Sequence, residues 1–165
     1  MIAYLQNLIT ALREELHEYG EMLARLDEQQ ELVMRRDADG ILQSVATIQE
    51  QGVTIQRTRQ VREARQGELA QMVGLKTDSE FSAIIPRTPE DYRPLLSALV
   101  AENNSLLHRI QQRARQNHLL LRQSLDLMQR FLSTLFPSQE PRTYSPVGQS
   151  FNRPAPAVSL YEAVG

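Results

Sequence analysis

Residues 93–136 read RPLLSALVAENNSLLHRIQQRARQNHLLLRQSLDLMQRFLSTLF, with no glycine and no proline after Pro94. Apolar residues and two asparagines recur in this stretch at alternating intervals of three and four residues, which is the a/d spacing of a coiled-coil helix. The seam runs through Leu96, Leu99, Asn103, Leu106, Ile110, Arg113, Asn117, Leu120, Ser124, Leu127, Phe131 and Leu135. We therefore predict one long helix that needs other helices to pack against it.

The last part of this helix has more apolar residues than one seam requires. Ten of the 18 residues from Leu119 to Phe136 are apolar, so they cover more than half of the helix surface. A helix of this kind is either buried on several sides or exposed for a partner.

Asn103 and Asn117 lie 14 residues apart on the seam. At core positions they would penalise wrong registers, because an amide facing an apolar partner lacks a hydrogen bond. At the edge of the interface they would instead meet water. The sequence leaves both interpretations open.

Two more long helices precede this one. The first covers about residues 1–36, with an apolar stripe from Leu5 through Tyr19 to Val33. Asp37 or Asp39 can accept hydrogen bonds from the first turn of a second helix, which we place at about residues 38–73. Gly74 stands where that helix should end.

A short helix is expected between the second and third long helices. Thr77-Asp-Ser-Glu80 has the form of a capping box, which predicts a helix at about residues 78–85. Pro86, Pro89 and Pro94 then keep the connection irregular, so the third long helix is placed at about residues 93–136.

The fold class that follows is all-α, an elongated antiparallel bundle of three long helices with coiled-coil character. Residues 1–136 form one helical domain, and the proline-rich tail 137–165 is expected to be disordered. Residues 1–34 hold seven acidic residues and two arginines, whereas residues 94–136 hold five arginines and two acidic residues. The first and last helices are therefore expected to be electrostatically complementary neighbours.

The residues offer no catalytic constellation. The chain has no cysteine, no glycine-rich phosphate loop, no Gly-x-Ser-x-Gly elbow and no His-Glu-x-x-His motif. Glu14-x-x-His17 has the spacing of a di-iron ligand pair, but a second pair is missing. We expect neither an enzyme nor a cofactor or metal site.

Two classes of partner are also disfavoured. The arginines of the second helix are diluted by glutamates and glutamines, so we expect no nucleic-acid binding. The N-terminus lacks the features of a signal peptide, and no apolar run approaches the ~20 residues that cross a bilayer. We expect a cytoplasmic protein without direct membrane insertion.

Three segments together resemble the FlgN family of flagellar export chaperones. They are Leu23–Arg36 (LARLDEQQELVMRR) followed by Asp37, Asn117-His-Leu-Leu-Leu121 in the last helix, and Tyr144-Ser-Pro-Val-Gly148 after a polar linker. The resemblance rests on their order and spacing and covers most of the chain. The chain departs from the family pattern in the segment after Gly148, which ends in a second Tyr-x-x-Val-Gly, Tyr161–Gly165. This departure leaves open which tyrosine, if either, corresponds to the family's.

The resemblance implies an ATP-independent chaperone for hook-filament junction proteins, also called hook-associated proteins. Its last helix would capture the amphipathic C-terminal helix of a client and keep the client from assembling early. Its tail tyrosine would dock the loaded chaperone on the flagellar export gate and export ATPase complex. The expected client-binding residues are Leu106, Leu107, Ile110, Asn117, Leu120, Leu121, Leu125, Met128, Phe131, Leu132 and Leu135, and the expected docking residues are Tyr144 and Gly148.

A rival interpretation is a structural coiled-coil or tethering subunit. In that case the same leucines would close a homotypic interface between copies of the chain. A homodimer of the unloaded chaperone is a third state to be distinguished. The mass of the protein in solution, with and without a client peptide, separates these alternatives.

Overall fold

The computed structural model describes residues 1–135, which form four α-helices and two 3-10 turns. The helices are α1 (Ile2–Arg35), α2 (Ala38–Met72), α3 (Phe81–Ile84) and α4 (Arg93–Leu135), and the 3-10 turns are Ile85–Arg87 and Glu90–Tyr92. The prediction of an all-α fold with long helices is confirmed. Residues 1–135 contain four α-helices, namely the three long ones and the short α3, which lies within the range of about 78–85 expected for a short helix.

The chain divides into two compact units after Gln129. The packing described below belongs to the first unit, Met1–Gln129. Of the second unit, the structure describes residues 130–135, which form the last turns of α4. The expected tail 137–165 lies outside the described residues.

Helices α1 and α2 form an antiparallel hairpin. Asp37 is the N-cap of α2, and its Oδ1 accepts a hydrogen bond from the Gly40 backbone N–H at 3.0 Å. Farther along the hairpin, the Gln29 amide donates to Ser44 Oγ at 3.1 Å, and Gln51 Nε2 donates to Glu18 Oε2 at 2.6 Å. The sequence prediction of a capped reversal at Asp37 is confirmed.

The connection after α2 is partly as predicted. Gly74 adopts a positive φ of 77° just past the end of α2, as expected for a helix C-terminus. The predicted capping box at Thr77–Glu80 is wrong, because α3 begins only at Phe81 and its N-cap residue Glu80 makes no side-chain hydrogen bond. A turn forms there instead, in which the Ser79 N–H bonds Lys76 O and Gln66 Nε2 bonds Ser79 O.

Helix α4 begins at Arg93, with Pro94 in its first turn. Proline is tolerated there because the N–H groups of the first turn have no partner within the helix. The predicted start near Arg93 is therefore confirmed.

Helix α4 runs parallel to α1. Asn103 Nδ2 donates to Leu12 O at 3.1 Å, and Asn117 Nδ2 donates to Leu26 O at 2.7 Å. Both pairs are 91 residues apart in sequence, so the two helices keep one register over two heptads.

The apolar core is concentrated where α1 and α4 begin and α2 ends. Its buried residues are Leu5, Leu8, Ile9 and Leu12 of α1, Leu69 and Ala70 of α2, Ile84 of α3 and Leu96 of α4. A smaller cluster follows, made of Tyr19, Leu23 and Leu106. In the first half of α2 the buried residues are polar, Ser44 and Gln51, so the core becomes thinner toward the α1–α2 turn.

Candidate functional site

The seam of α4 changes from buried to exposed along its length. Leu96 and Asn117 are 0% and 1% exposed, and Leu120 is partly buried. Ser124 is exposed, and Leu127, the next seam residue, is 62% exposed. The sequence pattern continues without a break across this change, so the loss of cover has a cause outside α4.

The change lies close to the end of the α1–α2 hairpin. Asn117 lies beside Leu26, and α1 ends nine residues later at Arg35. The same register places the level of Arg35 near Asp126 of α4. Past this level the α1–α2 hairpin offers no further turns to cover α4.

We define the free face of α4 as Leu120, Leu121, Ser124, Leu125, Leu127 and Met128. At ~100° per residue these side chains occupy slightly less than half of the helix circumference. Leu125 and Met128 are each 61% exposed, so three large apolar side chains, counting Leu127, are uncovered within one turn. A contiguous exposed apolar surface of this kind is typical of an interaction site.

Two further apolar residues of α4 are exposed in the second unit. Phe131 is 62% exposed and Leu132 is 48% exposed. Leu135 ends the helix, and its side chain lies outside the described residues. Leu119 is 59% exposed as well, but its position on the helix is opposite to the free face.

Four of the residues predicted to bind a client are buried or partly buried within the bundle. Leu106 is 9% exposed and packs with Tyr19 and Leu23, and Leu107 and Ile110 pack against the same cluster. They are covered because α1 runs alongside this part of α4. We therefore leave these three residues and Asn117 out of the free face.

Both seam asparagines are core residues, which decides between the two interpretations of the sequence. Asn103 is 6% exposed and Asn117 is 1% exposed, and each donates to a backbone carbonyl of α1. Asn117 Nδ2 also donates to Gln29 Oε1 at 3.1 Å. Within the described residues, the Oδ1 atom of each asparagine is buried and has no hydrogen-bond partner. A buried oxygen without a hydrogen bond lowers the stability of the fold. The two asparagines therefore specify the register of α4 against α1 at a cost in stability.

The expected charge complementarity of the first and last helices is also present. Arg113 Nε of α4 lies 2.7 Å from Asp27 Oδ1 of α1. Its guanidinium also donates to the Gln30 side chain. One ion pair of this partly exposed kind is worth at most about 1 kcal/mol, so it favours the pairing of α1 with α4 without determining it.

The sequence analysis missed a buried charge between α1 and α2. Glu15 is 3% exposed, accepts a hydrogen bond from Tyr19 Oη at 2.9 Å and pairs with Arg62 Nε at 3.0 Å. Burial, and then the charge and hydrogen bond of Glu15, raise the pKa of Tyr19 to about 12. The signal was present in the sequence, because Glu15 lies between Leu12 and Tyr19 at the three-four spacing of the first helix's apolar stripe.

These groups border a cavity of about 230 Å³ between α1, α2, α3 and α4. Arg62 lies over the ring of Phe81 at 6.0 Å from its centroid, which closes one side. Since Glu15 is already paired with Arg62 and Tyr19, the geometry is that of a satisfied ion pair inside the bundle.

Neither a cluster of metal ligands nor a membrane-spanning helix is found in residues 1–135. No group of three or more histidine, cysteine, aspartate or glutamate side chains could hold a metal ion in this part of the chain, and Glu14 and His17 are exposed on α1. None of the described helices combines the length and the apolar composition needed to span a lipid bilayer.

One comparison with known proteins identifies a family. The sequence model of the FlgN family, described as FlgN protein, matches residues 1–150. The chain belongs to the FlgN family. FlgN proteins are chaperones of flagellar biogenesis and interact with flagellar proteins, and the family is not known for enzymatic activity. Comparisons with curated proteins and with solved structures found no match.

The FlgN match ends at residue 150, so it includes Tyr144 and Gly148 but not the second Tyr-x-x-Val-Gly at Tyr161. All three residues lie outside the residues that the structure describes. The docking role of Tyr144 and Gly148 stays a prediction.

Proposed function

We propose that this FlgN-family protein is a cytoplasmic chaperone of flagellar type III export that binds the amphipathic C-terminal helices of hook-filament junction proteins on the free face of α4. Binding there would keep a client from assembling early and hold it ready for the export gate. The observation that carries the proposal is the exposure of Leu125, Leu127 and Met128 on a helix whose earlier turns are covered.

The proposed mode of binding is helix against helix. The free face continues the seam on which α1 packs, so a client helix would meet the same three-four spacing that α1 meets. Burying two or three side chains the size of leucine contributes about 1.5 to 3 kcal/mol each before the costs of association. No ATP or other cofactor is needed for such an exchange of apolar surface.

The test is calorimetric titration of the full chain with the purified C-terminal segment of a hook-filament junction protein. In the double variant Leu125→Asp, Met128→Asp, affinity is expected to fall by about 100-fold or more, because two charges would be placed in an apolar interface. The matched control is Leu119→Asp, which adds a charge to an equally exposed leucine on the other side of the same helix. Its affinity should stay within about threefold of the unchanged protein.

Two results would contradict this proposal. Undiminished binding by the double variant would place the client elsewhere, and loss of helical structure by circular dichroism would make Leu125 and Met128 part of the core. Mass measurement by light scattering addresses the rival structural role. A monomer that becomes a one-to-one complex is expected, whereas a tight dimer that ignores the client would favour a homotypic coiled coil.

Docking on the export gate is proposed to require Tyr144. Tyr144→Ala should leave client affinity unchanged and reduce secretion of the client from cells, because it alters only the step after binding. Tyr161→Ala is the matched control, since it removes the tyrosine of the second Tyr-x-x-Val-Gly. If Tyr161→Ala alone reduces secretion, the docking role belongs to Tyr161.

A further inference from the structure

The part of α4 that is already covered shows what kind of helix fits this seam. Its neighbour there is α1, whose residues 1–34 hold seven acidic residues and two arginines. The contact includes the ion pair between Arg113 and Asp27 at 2.7 Å. An acidic helix against an arginine-bearing seam is thus the pairing that this protein itself uses.

The free face of α4 has an arginine at its edge, as the covered part does. Arg122 is exposed and lies about 60° around the helix from Leu125, at one edge of the free face. Asp126 is exposed too, but it lies on the side of α4 farthest from the free face. A helix that docks on the free face would therefore meet a positive edge, and acidic residues at its own flanking positions would be favoured.

The free face also has a hollow in its middle. Ser124 is exposed and small, and large apolar residues precede and follow it by one turn: Leu120, Leu121, Leu127 and Met128. In coiled-coil packing, each large side chain of one helix enters a space between four residues of the other. A serine surrounded by long side chains offers such a space.

We propose that the partner helix is acidic as well as amphipathic and that it places one large apolar side chain over Ser124. The partner helix then covers the free face of α4. Its acidic residues match those that α1 brings to the covered part of α4. A second copy of this chain is a poorer occupant, because two α4 faces would bring two arginine-bearing edges together. The inference rests on the function proposed above and specifies the chemistry of its partner.

The probes are two synthetic, fluorescein-labelled helical peptides with the same leucine heptads, one with glutamates at the flanking positions and the other with lysines. Binding to the full chain is followed by fluorescence anisotropy at low and high salt. The glutamate peptide is expected to bind about fivefold more tightly at low salt, and the difference should shrink at high salt because the exposed charge pair with Arg122 is screened. Arg122→Glu should reduce or reverse the preference.

The hollow is tested by Ser124→Leu, which fills it without making the free face less apolar. Affinity for the glutamate peptide should fall by about tenfold or more, whereas Ser124→Ala should bind as the unchanged protein does. Ser105→Leu is the matched control, because Ser105 is an exposed serine on the polar side of α4. Circular dichroism and light scattering of each variant report folding and self-association.

Three outcomes overturn the inference: equal affinity for the two peptides, unchanged binding by Ser124→Leu, or a dimer of the unchanged protein that Leu125→Asp dissolves. The first two leave the proposed function standing if Leu125→Asp, Met128→Asp still loses the flagellar client. If that double variant keeps the client, the proposed function fails independently of the peptide result.

Discussion

Replacing Asn117 by aspartate tests the register of α4 on α1 with almost no change in side-chain shape. The amide nitrogen of Asn117 donates to Leu26 O at 2.7 Å and to Gln29 Oε1 at 3.1 Å, and the side chain is 1% exposed. Aspartate would replace that donor by an oxygen facing two acceptors. Two lost hydrogen bonds remove about 2 kcal/mol, and placing a carboxylate in this buried position costs about 1 to 3 kcal/mol more.

The free energy of unfolding of Asn117→Asp should therefore fall by about 3 to 5 kcal/mol at pH 7. Burial and the neighbouring acceptors raise the pKa of the new carboxyl, so the loss should be smaller below its unfolded pKa of about 3.9 and grow as the pH rises through its folded pKa. Urea unfolding followed by circular dichroism at several pH values measures both effects.

Gln116→Glu is the matched control, because it adds the same charge to the exposed neighbouring residue. Its free energy of unfolding should change by less than about 0.5 kcal/mol. If Asn117→Asp and Gln116→Glu had equal stabilities, the amide of Asn117 would not lie between α1 and α4, and the argument that locates the end of the cover near Asp126 would fail.

Three further predictions concern stability. Gly52→Ala should raise the free energy of unfolding by up to about 1 kcal/mol, because Gly52 lies inside α2 with open space around the added Cβ; a lower midpoint in urea would contradict this. Leu69→Ala should lower the free energy of unfolding by about 2 to 5 kcal/mol and Leu127→Ala by less than about 0.5, since their side chains are 0% and 62% exposed. Thermal unfolding compares the two variants. Equal losses of stability would mean that Leu127 is covered. The pKa of Tyr19 is raised from 10.0 to about 12, so about 2 to 3 kcal/mol of stability that is present below pH 10 should be lost between pH 10 and 12. Urea titrations at each pH should show that Tyr19→Phe lacks this loss. A pH profile of Tyr19→Phe equal to that of the unchanged protein would refute the assignment.

The boundaries of the long helices could be predicted from sequence because their signals are local. Asp37 caps the helix that it begins, Gly74 has the positive φ that ends a helix, and Pro94 fits only a first turn. The capping box at Thr77–Glu80 failed for a tertiary reason, since Gln66 of α2 holds Ser79 O in a turn. A local motif cannot anticipate a hydrogen bond from 13 residues away.

The position of the free face could be predicted only in part. The surplus of apolar residues pointed to Leu125 and Met128, which are both exposed. Leu106 and Asn117 share the same spacing and are nevertheless buried. Leu106 and Asn117 lie beside α1 in the register that the two asparagines set, whereas Leu127 and Met128 lie past the level at which α1 ends. Periodicity in one helix carries no information on where its neighbour ends.

The distance between the tightly packed end of the bundle and the free face has an evolutionary consequence. Leu5, Leu69 and Leu96 hold the helices together at one end, whereas Leu125 and Met128 are exposed at the other. Substitutions in the exposed stretch can accumulate with little penalty to folding, so this surface can change while the scaffold stays the same.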